Sequence, residues 1–198
     1  DWRRRAHGEH GGRGQRGKRP RRLKSQPATL RMDVGPLELA VDVLLPERLS
    51  AHSKLLVCLP GGGVSRRYFD MPGFSFAQAM VAGGHALALI DPPGVGKSGT
   101  VADPFQLTLE AQLPMLERAL ALIRKQPQLA KLPAIGVGHS AGAMLTAALQ
   151  AHCRPYASLV LLCFGTGGLP QYLAADWLEF HAANPEAARS RIPEFAKT

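Results

Sequence analysis

Three cysteines in 198 residues are too few for a disulfide framework. Cys58, Cys153 and Cys163 are odd in number, widely spaced and set in apolar segments. They read as buried reduced thiols, which favours the cytoplasm or an organelle interior. No apolar run approaches the ~20 residues of a membrane-spanning helix, and no stretch reads as a secretory signal. Neither a cluster of metal-ligand residues nor a dinucleotide fingerprint is present, so no metal and no cofactor is expected. Acidic residues are scarce at one end. Residues 1–24 hold ten Lys/Arg and two acids, a net of +8 out of the chain's +9.

That basic segment contains only two large hydrophobes, Trp2 and Leu23, too few to bury a core. Residues 1–27 are therefore expected to form a solvated, disordered tail. Gly11–Gly14 and Lys18–Lys24 would suit an anionic surface or a nucleic-acid arm. Aromatic residues that could stack on bases are not interleaved, so no specific nucleic acid is expected as partner. The segment is Arg-rich and acid-poor like a transit peptide, but it lacks the amphipathic apolar face and the serines. The remaining chain is nearly neutral, so the high isoelectric point describes the tail.

The most informative residues are Gly138-His139-Ser140-Ala141-Gly142. Before them, Ala134–Val137 is a short apolar run that reads as a buried strand; after them, Ala143–Gln150 reads as a helix. A G-x-S-x-G at a strand-to-helix turn is a nucleophile elbow. Glycines 138 and 142 let a strained turn close, leaving the Ser140 hydroxyl exposed above the sheet. The following helix points unpaired N–H groups toward any negative charge that forms there.

A second strand-like run, Lys54–Leu59, ends in Pro60-Gly61-Gly62-Gly63. Acyl transfer to serine creates an oxyanion that needs two converging backbone donors. Ala141 N–H, directly after the serine, is one candidate. The glycine loop supplies the other, where Pro60 has no N–H to give; Gly62 is favoured, with Gly63 as the alternative. A third run, Ala86–Ile90, leads into Asp91-Pro92-Pro93-Gly94-Val95-Gly96-Lys97-Ser98. The last five residues imitate part of a phosphate-binding loop. Its first glycine would fall on Asp91, a carboxylate, and two prolines remove donors the cradle needs. A tight loop near the mouth of the site is the better reading.

The rest of the pattern alternates strands with helices. Arg31–Val34 and Leu37–Leu45 flank Gly35-Pro36 as a hairpin. Ser75–Ala82 has helix start and stop signals, ending at Gly83-Gly84. Leu109, Leu113, Leu116, Leu120 and Ile123 form one face of an amphipathic helix, provided that Pro114 sits in its first turn. Tyr156–Phe164 is apolar enough for a further central strand. An α/β fold follows, with a mostly parallel sheet covered by helices on both faces.

Glycine loop, Asp-x-Pro-Gly-x-Gly-x-Ser turn and serine elbow occur in this order, and over most of Thr29–Gly168 the chain resembles the α/β-hydrolase fold family. It departs from many esterases and lipases in carrying Pro60 where they have histidine. The resemblance implies a serine hydrolase acting on carboxylic esters or related small acyl substrates, with Ser140 as nucleophile. Members with an aspartate nucleophile are disfavoured by the serine. The family's chain order is serine, then Asp or Glu, then His. After Ser140, His152 lies twelve residues along the helix, about 18 Å up its axis. His181, Asp176 and Glu179 fall in a segment that resembles the start of a cap, and His139 lies inside the elbow. The acid and the histidine are therefore expected beyond Thr198. On that reading residues 28–168 are the front part of the core, 169–198 begin a helical cap, the C-terminal part of the fold is missing, and the isolated chain is inactive. The rival readings are a non-catalytic binding protein of the same fold and a nucleic-acid adaptor led by the basic tail.

Overall fold

The computed structural model describes residues 29–165 together with 183, 184, 186 and 187. The expected tail at 1–27 and nearly all of the expected cap at 169–198 lie outside the described residues, as do Asp176, Glu179 and His181. Strands β1 (Thr29–Asp33) and β2 (Glu38–Leu44) form the antiparallel hairpin predicted around Gly35-Pro36. β2 also pairs antiparallel with β4 (Ala86–Ile90). From there the sheet is parallel through β3 (Leu55–Leu59), β5 (Ala134–His139) and β6 (Ser158–Leu162). The spatial order is β1-β2-β4-β3-β5-β6.

Two-residue periodicity explains why the central strands are apolar throughout. Successive side chains point to opposite faces, and both faces here are covered. Leu55, Val57 and Leu59 of β3 join one core with Leu116, Ala119 and Ile123 of α2 (Leu109–Arg124) and Leu145 and Leu149 of α3 (Ala141–Cys153). Leu56 and Cys58 face the other way, against Phe69 and against Ala77 and Val81 of α1 (Phe76–Ala82). Burial pushes the Cys58 thiol well above its ordinary value. Helix α1 begins where the sequence signals it, with Ser75 Oγ accepting from Gln78 N, and Gly83 closes it.

Two expectations are corrected. Pro114 lies inside α2, past its first turn. It is tolerated because it faces solvent and the Glu110 residue whose carbonyl it leaves unbonded is exposed too. β6 closes the described sheet on one side, and Val160 and Leu162 on it are more than two-fifths exposed. Among the thiols, Cys58 is buried, Cys153 is half-buried and Cys163 is exposed, all three being free.

The α2 face generates a contrast. Leu116→Ala removes a side chain that is 1% exposed at the centre of the larger core, so it should lower unfolding stability by about 2–5 kcal/mol. Arg118→Ala, on the exposed face of the same helix, should change it by less than about 0.5 kcal/mol. Urea denaturation of both variants checks this.

Candidate active site

β5 ends at His139 and α3 starts at Ala141, so Ser140 alone makes the turn between them. Its backbone sits at φ 50° and ψ −117°, a region that non-glycine residues rarely visit and that costs about 1–3 kcal/mol. The surroundings enforce it. Ser140 N donates to Leu162 O at 2.9 Å, while Ser140 O accepts from Ala143 N at 2.9 Å and Met144 N at 3.1 Å. The first turn of α3 passes so close to the end of β3 that a Cβ at Gly142 would run into the carbonyl oxygens of Leu59 and Pro60. A Cβ at Gly138 would meet Ala143 Cα at 2.5 Å. The two glycines thus supply space, and the serine itself carries the unusual conformation. The result is an exposed hydroxyl at the N-terminus of a 13-residue helix.

The glycine loop arrives at the same place because β3 and β5 are parallel neighbours, paired from Leu55 with Ala134 to Leu59 with Gly138. A Cβ placed on Gly62 would lie 3.7 Å from Ala141 Cβ, so the loop and the elbow face each other. Gly63 follows with φ 74°. Among the described residues, the backbone N–H groups of Gly62, Gly63 and Ala141 have no hydrogen-bond acceptor. The structure therefore brings Ser140, Gly62, Gly63 and Ala141 to one end of the sheet.

His139 is half-buried, with its Nδ1 out of contact with solvent. Its ring stacks on Tyr68 with centroids 4.8 Å apart and planes 18° from parallel. His152 sits at the far end of α3, where Nε2 lies 3.3 Å from Glu117 Oε2 of α2 in a half-exposed pair. No described histidine bonds the Ser140 hydroxyl. No group of three or more His, Cys, Asp or Glu among the described residues is placed to hold a metal ion.

Sequence reasoning missed the buried network beside the glycine loop. Arg66 is 3% exposed and lies in a 3-10 turn, Arg66–Asp70. Its guanidinium pairs with Asp91, with Asp42 (Nε to Oδ2 2.8 Å) and with Thr29 Oγ1 at 2.8 Å. Burial alone would lower its pKa; the hydrogen bond and charge of Asp42, followed by Asp91, outweigh that and raise it. Asp91, 0% exposed, also accepts from Arg66 N at 2.6 Å and Lys97 N at 2.8 Å. Ser98 Oγ closes the loop by donating to Asp91 O and accepting from Ala40 N. The Asp-Pro-Pro-Gly segment is thus a carboxylate-centred clasp with no room for a phosphate. Above it opens a cleft of about 440 Å³ lined by Asp42, Arg66, Arg67, Asp70 and Lys97 among others. Counting Asp91 behind it, three cations meet three carboxylates, so the cleft favours neither sign of ligand.

Among the described residues no helix is long and apolar enough to cross a membrane. A family model described as "Alpha/beta hydrolase family" matches residues 56–198. No curated protein matches the chain. Among solved structures, it is similar to an alpha/beta hydrolase from Novosphingobium aromaticivorans DSM 12444 at 23% identity and TM-score 0.55, over 73% of this chain and 47% of that one. A proline iminopeptidase from Mycobacterium smegmatis gives 19% identity and TM-score 0.55, over 86% and 58%. An esterase from Exiguobacterium antarcticum gives 14% and 0.51, over 68% and 44%. At these identities the likeness is one of fold. The chain spans about half the length of these structures.

The clasp carries a stability prediction. Arg66→Met strands the Asp42 and Asp91 carboxylates against apolar packing, and should cost about 3–5 kcal/mol in urea unfolding. Arg67→Met, exposed one residue on, should stay within about 0.5 kcal/mol.

Proposed function

The chain belongs to the alpha/beta hydrolase family, and we propose that within it this protein is a serine hydrolase acting by acyl transfer on carboxylic esters or related small acyl substrates. The observation that carries the reading is Ser140 itself: an exposed hydroxyl held at positive φ between strand and helix, with a glycine loop facing it. In this mechanism the Ser140 hydroxyl attacks the acyl carbonyl, and its proton passes to a histidine base. The tetrahedral oxyanion receives hydrogen bonds from Ala141 N–H and from Gly62 or Gly63 N–H. The N-terminal end of α3 adds its partial positive charge at the same point. Collapse of the intermediate expels the alcohol, which takes the proton from the histidine, and leaves an acyl-serine. Water, deprotonated by the same base, then releases the acid. The histidine and its orienting carboxylate are assigned to chain beyond the described residues, because His152 is committed to Glu117 at the far end of α3.

A serine in the elbow argues against the aspartyl-ester chemistry of hydrolases that open epoxides. A second reading, a non-catalytic protein that binds an acyl ligand, is favoured by the lack of any base bonded to Ser140 among the described residues. Hydrolysis of p-nitrophenyl butyrate by the full-length native protein separates the two. We expect turnover together with covalent labelling by a fluorophosphonate. Ser140→Ala should abolish the labelling and lower kcat by at least about 10⁴-fold. Retained turnover in that variant sinks the nucleophile assignment, and a wild-type protein that neither turns over nor labels supports the binding reading.

A further inference from the structure

The His139 ring occupies a slot with two walls. One wall is Tyr68, which itself stands edge-on to Phe69 at 5.2 Å; Phe69 in turn packs on Phe76 of α1 at 5.9 Å. A column of four rings therefore runs from the α1 layer to the residue preceding Ser140. The other wall is Gly61. A Cβ there would lie 2.8 Å from His139 Nδ1 and 3.4 Å from Cε1, so the loop approaches the ring as closely as a glycine permits. Nδ1 is buried and has no hydrogen-bond partner among the described residues. Among the described residues, packing against Tyr68 and Gly61 is what locates this side of the ring.

We propose that His139 is a positioning residue: its ring, clamped between Tyr68 and Gly61, sets the gap between the Gly62–Gly63 donors and the Ala141 donor. Gly61 and Gly62 are adjacent, and Gly62 lies against Ala141. The ring consequently limits how far the glycine loop can settle onto the elbow. This assignment rests on the serine-hydrolase reading above. It predicts that disturbance of the ring acts on the transition state, where the donors converge on the oxyanion, more than on substrate binding.

The experiment uses the full-length protein, with kcat normalised to sites labelled by fluorophosphonate so that a loss of folded enzyme does not count. His139→Ala should lower kcat by about 10²-fold, the scale of a displacement near 1 Å. KM should change little, and the inhibition constant of a trifluoromethyl ketone, which mimics the tetrahedral oxyanion, should rise by a similar factor. Gly61→Ala should have a like effect by pushing the ring aside. In the His139→Ala background it should add no further loss, since the two ring atoms nearest the new methyl are gone and the His139 carbonyl, 3.6 Å away, is at ordinary contact distance. Wild-type kcat per labelled site in His139→Ala, or additive losses in the pair, overturns the proposal. If His139→Ala does not fold, Tyr68→Leu removes the opposite wall and carries the same kcat-selective expectation; an unchanged kcat in that variant overturns it too. A wild-type protein that neither labels nor turns over removes the premise and the proposal with it, an outcome visible before any variant is made.

Discussion

Helix α3 reaches the sheet with no space between its first turn and the end of β3, and that close approach governs everything at this end of the molecule. A residue larger than glycine at position 142 would overlap two carbonyl oxygens. Since the helix must pass there, the chain has one residue in which to turn from strand to helix. Ser140 takes the conformational cost. Parallel pairing of β3 with β5 then delivers the two following loops to the same edge, which is why the glycine loop and the elbow meet at all. Geometry that looks designed around a hydroxyl follows from strand direction and the absence of two β-carbons.

The second constraint is electrostatic. Arg66 is drawn inside by Asp42 and Asp91, and its backbone N–H is used as well. The glycine loop is thereby tethered on its far side to β2 and to the turn after β4, while its near side rests on the elbow. Buried ion pairs of this kind contribute little net stability, because desolvation cancels much of the attraction. Their strength is directional: an arginine with two carboxylate partners and a threonine hydroxyl has one place to sit. The loop is located by that requirement more than by hydrophobic contact.

Much of this was legible in the sequence, and the reasons are local. Continuous apolar runs such as Ala86–Ile90 and Leu55–Leu59 announce strands buried on both faces, and Ser75 with Gly83 announces both ends of α1. The Gly-x-Ser-x-Gly turn needed only its flanking residues to be recognised. What stayed hidden depends on distant partners. The burial of Arg66 requires Thr29, Asp42 and Asp91, three residues from three different segments, and nothing beside Arg66 in the chain signals them. The stacking of His139 on Tyr68 likewise joins residues 71 positions apart (139 minus 68). Pro114 misled because a propensity rule was applied without knowing that its side of α2 faces water.

The hydrogen bond from Ser140 N to Leu162 O has a consequence for the order in which the molecule assembles. Residue 162 is the last of β6, so the strained turn is held partly by chain made after it. During synthesis the elbow segment leaves the ribosome before its restraint exists, and at about 5–20 residues per second the interval is of order seconds. Until β6 docks, the turn lacks this hydrogen bond and is held by the contacts of α3 alone. The last restraint on the reactive geometry is thus added when the parallel sheet closes on that side, after the chain of the helix that displays the serine has been made.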